Sequence, residues 1–196
     1  MGIGLQENIN HPLTTPENHA KLQASSITER SNGKAADYVT IVNPIMPERR
    51  VMRRSLIVST LENLARNLRH TARLTTFEVG RVYLPEGGDG VLPEEDRRIC
   101  ITLTGPRRPT SFYTETGTNA EARLSSRGAN PEEMDFYELK GVVETLLHRL
   151  GFGAARTEYR AKPDTGVFVR CAEILVDGQP VGVMGEIHPL VRCICD

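Results

Sequence analysis

Between Asn43 and Leu84 the chain runs NPIMPERRVMRRSLIVSTLENLARNLRHTARLTTFEVGRVYL, and few folds accommodate that order of signals. Asn43-Pro44 closes whatever precedes it, because proline donates no ladder hydrogen bond. Ile45 to Arg54 then reads as a loop or short extended piece carrying Arg49, Arg50, Arg53 and Arg54. From Ser55 the pattern becomes helical: Ile57, Leu61, Leu64 and Leu68 recur at spacings of four, three and four. Arg66, Arg69 and His70 fall in the last turn, where cations suit the helix dipole. Residues 73–84 are the following strand. Its apolar residues do not alternate strictly, and Gly80 marks a bulge or a close backbone approach.

The flanking segments extend the pattern. Residues 5–13 are a weak strand signal, and Thr14-Thr15-Pro16-Glu17 caps and starts a short helix through about Leu22. Residues 23–37 read as a mobile connector, and Tyr38 to Val42 as a buried strand. After the turn at residues 85–90, Arg98 to Thr104 alternates with Ile99, Ile101 and Leu103 on one face, which predicts an antiparallel hairpin with the preceding strand. Residues 105–130 form a long polar loop without period. A second helix runs from Pro131 or Asp135 to Leu150 with a stripe of Phe136, Leu139, Val143, Leu146 and Leu150, and Gly151 stops it. Arg156 to Arg160 is a further strand. Asp177-Gly178 joins Ala172–Val176 to Val181–Ile187 in a tight hairpin. Strands joined by turns, with helices between the groups, make an α+β fold with an antiparallel sheet. The 196 residues are read as one domain.

Composition removes several function classes. Lys plus Arg is 24 against 25 Asp plus Glu, so no global field draws in nucleic acid or anionic lipid, and neither DNA nor a membrane is expected as a partner. No apolar run is long enough for a membrane span. Arginine supplies 20 of the 24 basic residues, which suits forked contacts to carboxylate or phosphate. Cys100, Cys171, Cys193 and Cys195 form no CxxC pair and read as reduced thiols of a cytoplasmic protein. No phosphate loop of the Walker type and no GxSxG elbow is present. The acids around residues 86–96 are interrupted by Pro and Gly and read as a solvated turn, so no metal site is expected. Glu78, mid-strand beside Phe77, reads as buried and paired with an arginine. Glu186 and His188 read as packed or capping residues at a strand end.

Several runs together resemble the beta subunit of bacterial phenylalanine–tRNA ligase: Met52-Arg53-Arg54-Ser55-Leu56, Phe77-Glu78-Val79-Gly80-Arg81-Val82-Tyr83, Asp135-Phe136-Tyr137-Glu138-Leu139-Lys140-Gly141, and Val181-Gly182-Val183-Met184-Gly185-Glu186-Ile187-His188-Pro189. The resemblance implies a class II aminoacyl-tRNA synthetase-like core, an antiparallel sheet flanked by helices, in a non-catalytic copy. In that family an alpha subunit holds the active site, and two alpha and two beta subunits join phenylalanine to tRNA with ATP and magnesium. The partners so implied are the alpha subunit directly and tRNA indirectly, with no cofactor held by this stretch itself.

The family's second motif asks for an aromatic, an arginine, any residue and an acid. The corresponding residues are Tyr83, Leu84, Pro85 and Glu86, so leucine stands where the phosphate-binding arginine belongs. Val167 to Glu173 keeps an arginine but loses the family's His-Pro-Gly. The third motif and the editing and anticodon-binding domains fall outside the sequence, so the expectation is a core truncated at both ends. Arg53, Arg54, Glu78, Arg81, Glu186 and His188 are the candidate subunit-interface residues. Two other readings stay open: a free-standing class II core paralogue binding an amino acid or nucleotide, and a fragment without function.

Overall fold

The computed structural model describes residues 2–15, 17, 38–85, 92–108, 133–163 and 167–188. In chain order these form β1 (Gln6–Glu7), β2 (Leu13–Thr14), β3 (Val51–Met52), α1 (Ile57–Asn67), β4 (Leu74–Leu84), β5 (Glu94–Thr104), α2 (Phe136–Arg149), β6 (Thr157–Lys162), β7 (Phe168–Val176) and β8 (Gln179–Ile187). Three sheets result, ordered β1-β4-β5, β2-β3 and β6-β7-β8. The long pairings, β4–β5, β6–β7 and β7–β8, are antiparallel. The exception to the expected antiparallel sheet is β1, which lies parallel to β4 with Gln6 opposite Thr76.

The β4–β5 ladder runs without a break from Leu74↔Thr104 to Leu84↔Glu94. Gly80 is therefore not a bulge. It marks a close approach: a Cβ there would lie 2.2 Å from Nη2 of Arg53 and 3.1 Å from Cδ2 of Leu56. The second hairpin turns as its sequence dictates. Asp177 and Gly178 both have positive φ, 51° and 76°, the requirement of the tight primed turn. β7 is central in its sheet and buries Ala172, Ile174 and Val176 on one face and Cys171 and Leu175 on the other.

Helix α2 begins at Asp135, whose carboxylate accepts from the backbone N–H groups of Tyr137 (2.9 Å) and Glu138 (3.1 Å). Glu138 accepts in return from the Asp135 N–H (3.3 Å), completing a capping box. Val143 of α2 packs on Ala172, Ile174 and Met184 of the second sheet, with Phe136, Leu139, Leu147 and Tyr159 around them. The expected stripe is corrected at its end: Leu150 is exposed, because the helix stops at Arg149 and the chain turns away at Gly151 with φ of 91°. Helix α1 connects the two larger sheets. Its Ile57 joins Val167, Phe168, Cys171 and Ile187, and its Val58 and Thr60 are buried. Leu68, at the far end of the expected stripe, is partly exposed.

A buried strand over Tyr38 to Val42 is not found. Thr40 makes a single bridge to Val51, flanked by Ile41 N–H to Arg50 O (2.9 Å) and Met52 N–H to Val39 O (2.8 Å). Val42 is 91% exposed. The β-branched run has only the two-residue β3 to pair with, and β3 is already bonded to β2 on its other side. The expected helix after Thr15 is represented by Glu17. The rest of that helix, the connector at 23–37, residues 86–90 of the turn at 85–90, and residues 109–130 of the polar loop lie outside the described residues.

Candidate functional site: a buried ion pair beneath the helix

Strand alternation places Glu78, Gly80, Val82 and Leu84 on one face of β4, with Cys100 opposite Glu78 on β5. Helix α1 covers this face. Arg53, just before the helix, reaches into it and sets Nη1 2.5 Å from Oε1 of Glu78. Both side chains are almost wholly buried, at 4% and 3% exposure. The pair is completed by neutral groups. Arg53 donates Nε–H to the Arg81 carbonyl (2.9 Å) and Nη1–H to the Ser59 hydroxyl (3.5 Å). Glu78 accepts from Asn10 Nδ2 (2.7 Å) through its second oxygen. Asn63 Nδ2 donates to Asn10 Oδ1 (3.1 Å), and Asn63 Oδ1 accepts from Asn67 (2.9 Å) and Asn8 (3.5 Å).

The backbone ties the same point to two other segments. The Arg53 N–H donates to Pro12 O (2.8 Å), and the Arg53 carbonyl accepts from Tyr83 N–H (2.9 Å). Gly80 supplies the room, since any side chain there would occupy the guanidinium's volume.

These facts sort the candidate residues. Glu78 is buried and paired with an arginine, and that arginine is Arg53. Arg54 is also buried, its guanidinium over the Tyr38 ring at 5.9 Å from the centroid. Burial pushes the Tyr38 hydroxyl pKa up, with the Arg54 charge acting against it. Arg81 points outward and pairs with Glu95 at 2.6 Å. Glu186 lies on the other sheet, accepting from Arg170 at 3.2 Å, and the His188 N–H donates to Val167 O (2.6 Å). The structure thus brings Arg53, Glu78 and the Arg81 backbone together and leaves Glu186 and His188 apart. Tyr83 and Leu84 end β4 opposite Glu95 and Glu94. Glu86 lies outside the described residues. The asparagines of the network left no pattern that sequence reading could use. Asn63 and Asn67 are four apart on α1, but Asn8 and Asn10 come to them from more than fifty positions away.

What the arrangement can do chemically follows from its partners. Arg53 and Glu78 hold each other in a shielded site, so the Arg53 guanidinium is not free for a substrate anion. Cys100 lies beside them. Burial raises its pKa, the Thr60 hydrogen bond acts against this, and the Glu78 charge adds to it. Burial likewise raises Cys171. Both thiols are therefore protonated near neutrality and poor nucleophiles. Alkylation of the native chain followed by peptide mapping is expected to leave Cys171 unmodified until denaturant is added; rapid native labelling of Cys171 would contradict its placement. Among the described residues no group of three or more His, Cys, Asp or Glu converges on a metal position, and no helix is long and apolar enough to cross a membrane.

Comparison with known proteins supplies the remaining context. Residues 1–193 match the family model described as the phenylalanyl tRNA synthetase beta chain CLM domain. The chain is 33% identical to the phenylalanine–tRNA ligase beta subunit of Symbiobacterium thermophilum over 96% of its own length and 19% of the relative's. It is 30% identical to that of Syntrophotalea carbinolica, covering 100% of this chain and 22% of the relative. The chain thus spans about a fifth of the curated relatives it matches. Among solved structures, a pyrrolysyl tRNA synthetase of Desulfitobacterium hafniense aligns over 98% of this chain and 56% of its own, with a TM-score of 0.62 at 13% identity. That likeness is one of fold alone, consistent with the α+β arrangement of sheets and helices.

Proposed function

The chain belongs to the phenylalanyl-tRNA synthetase beta chain family, through its CLM domain, and from that membership we propose that it is a non-catalytic core supporting an alpha subunit in the ATP-dependent attachment of phenylalanine to tRNA. The observation that carries the non-catalytic half is Leu84. A class II site holds the α-phosphate and the reacting carbonyl with an arginine at the corresponding place, stabilising charge as it develops. Leucine donates no hydrogen bond. The buried guanidinium over the same face of β4, that of Arg53, is held by Glu78.

ATP and magnesium belong, on this reading, to the alpha subunit's site, in an assembly of two alpha and two beta subunits in the cytoplasm. The outward residues left for contact with it include Arg81 of the first sheet and Glu186 of the second, each in a surface ion pair that a partner can exchange. The test is ATP–pyrophosphate exchange and co-purification with a tagged alpha subunit. The 196-residue chain alone is expected to show no exchange above background and to be retained by alpha. Exchange by the pure chain would overturn the non-catalytic role, and failure to co-purify would overturn the partnership.

A further inference from the structure

We propose that the face of the first sheet turned away from α1 is a docking surface for a second copy of this chain. Strand β4 is central in that sheet, and its odd-numbered residues point away from the helix. Val79 and Ile99 stand opposite each other there, and each is 50% exposed. Asn8 and Asn10 both turn toward α1, to Asn63 and Glu78. Ile9 between them therefore turns the other way, in line with Val79 by the register of β1 on β4, and it is 91% exposed. Three β-branched side chains thus make an exposed apolar row across three adjacent strands. Phe77 and Ile101, paired and half-buried, continue it on one side.

The charges around this row complement one another. Glu7 lies beside Phe77 on the same face, before the row, and Arg97 lies opposite Arg81 beyond it. Both Glu7 and Arg97 are exposed, and neither stands in an ion pair with a described residue. Arg81 is taken by Glu95, so two guanidinium groups face each other across the ladder with one carboxylate to serve them. Like charges directly opposite are unfavourable, and a further carboxylate arriving from outside relieves them. Glu7 and Arg97 sit at opposite corners about Val79, one on β1 and the other on β5.

A sheet that is apolar on both faces needs a layer on each, and α1 supplies only one. A two-fold axis through Val79, lying between two such faces, sets Val79 against its copy. With the axis perpendicular to the line from Glu7 to Arg97, each Glu7 lies over the Arg97 of the other copy, as an isologous contact requires. The strands of the two copies then cross steeply, which is the orthogonal way of packing sheet on sheet. The apolar row becomes the centre of the contact and the two ion pairs its rim. A foreign partner of one charge sign answers only one of the two corners. A second copy answers both.

Sedimentation equilibrium of the 196-residue chain over a concentration series is expected to show a monomer–dimer equilibrium. Val79→Glu, which sets two carboxylates together at the axis, is expected to weaken dimerisation more than about a hundredfold. Glu7→Arg and Arg97→Glu are each expected to weaken it about tenfold, because two attractions become repulsions. The double variant Glu7→Arg/Arg97→Glu restores opposite charges and is expected to return within about threefold of the parent. Thermal unfolding checks that each variant folds, and should Val79→Glu unfold, the charge-reversal comparison decides alone. A chain that stays monomeric at every concentration overturns the proposal. So does a double variant no tighter than the single ones, or a Val79→Glu dimer as tight as the parent's. A monomeric parent whose Val79→Glu form loses a tagged alpha subunit would assign the face to that subunit instead.

Discussion

Arg53→Met is expected to destabilise the chain by about 3 to 5 kcal/mol, the cost of leaving a buried carboxylate without its partner. Glu78→Gln is expected to fall in the same range, for it strands a guanidinium that is 4% exposed. The two losses should not add. With both charges gone, neither is stranded, and the double variant is expected to be no less stable than either single one. Chemical denaturation of the parent, the two single variants and the double variant, read as a double-mutant cycle, measures the coupling. Additive losses would mean that the 2.5 Å contact between Nη1 and Oε1 carries no special energy. The result also governs how partner-binding experiments are read. A variant lacking Arg53 that loses the alpha subunit has lost its fold first. Interface mapping therefore belongs on Arg81 and Glu186, whose ion pairs are on the surface.

The elements that the sequence disclosed are those whose signals are local. Helix α1 follows from a four-three-four apolar spacing. Helix α2 follows from the apolar stripe beginning at Phe136 and the stop at Gly151, and the β7–β8 hairpin from Asp177-Gly178. Glu78 was legible as buried and paired because a carboxylate beside Phe77 in mid-strand has few other options. Its partner was not. Arg53 precedes a helix in an arginine-rich run, where nothing separates an inward residue from a surface one, and it appeared among the interface candidates with Arg54. Tyr38 to Val42 failed for the complementary reason. β-Branched composition reports fitness for a strand, while a strand also needs an unpaired neighbour, and β3 offers two residues already engaged with β2. The asparagine network was invisible because Asn8 and Asn10 meet Asn63 through the parallel docking of β1 on β4, a long-range event.

Gly105→Ala is expected to cost more than about 4 kcal/mol, a size reserved for a few mechanisms such as irreparable overlap. Gly105 and Gly151 provide a matched pair. Both have φ of 91°, a region unfavourable to a residue with a Cβ, worth about 1 to 2 kcal/mol. Nothing lies within 4 Å of a Cβ built on Gly151. A Cβ on Gly105 would lie 1.9 Å from the Ala72 carbonyl oxygen and 2.9 Å from both its carbon and Arg73 Cα. These are backbone atoms, so no rotamer change relieves the overlap. The two segments cannot part freely either, because Arg73 is bonded to Pro106 and Leu74 is paired with Thr104 on the adjoining ladder. The difference between the two variants in denaturant unfolding thus isolates the steric term from the dihedral one. Gly151→Ala should lose only the smaller amount, and equal losses would show that β5 does not cross the Ala72 carbonyl at contact distance.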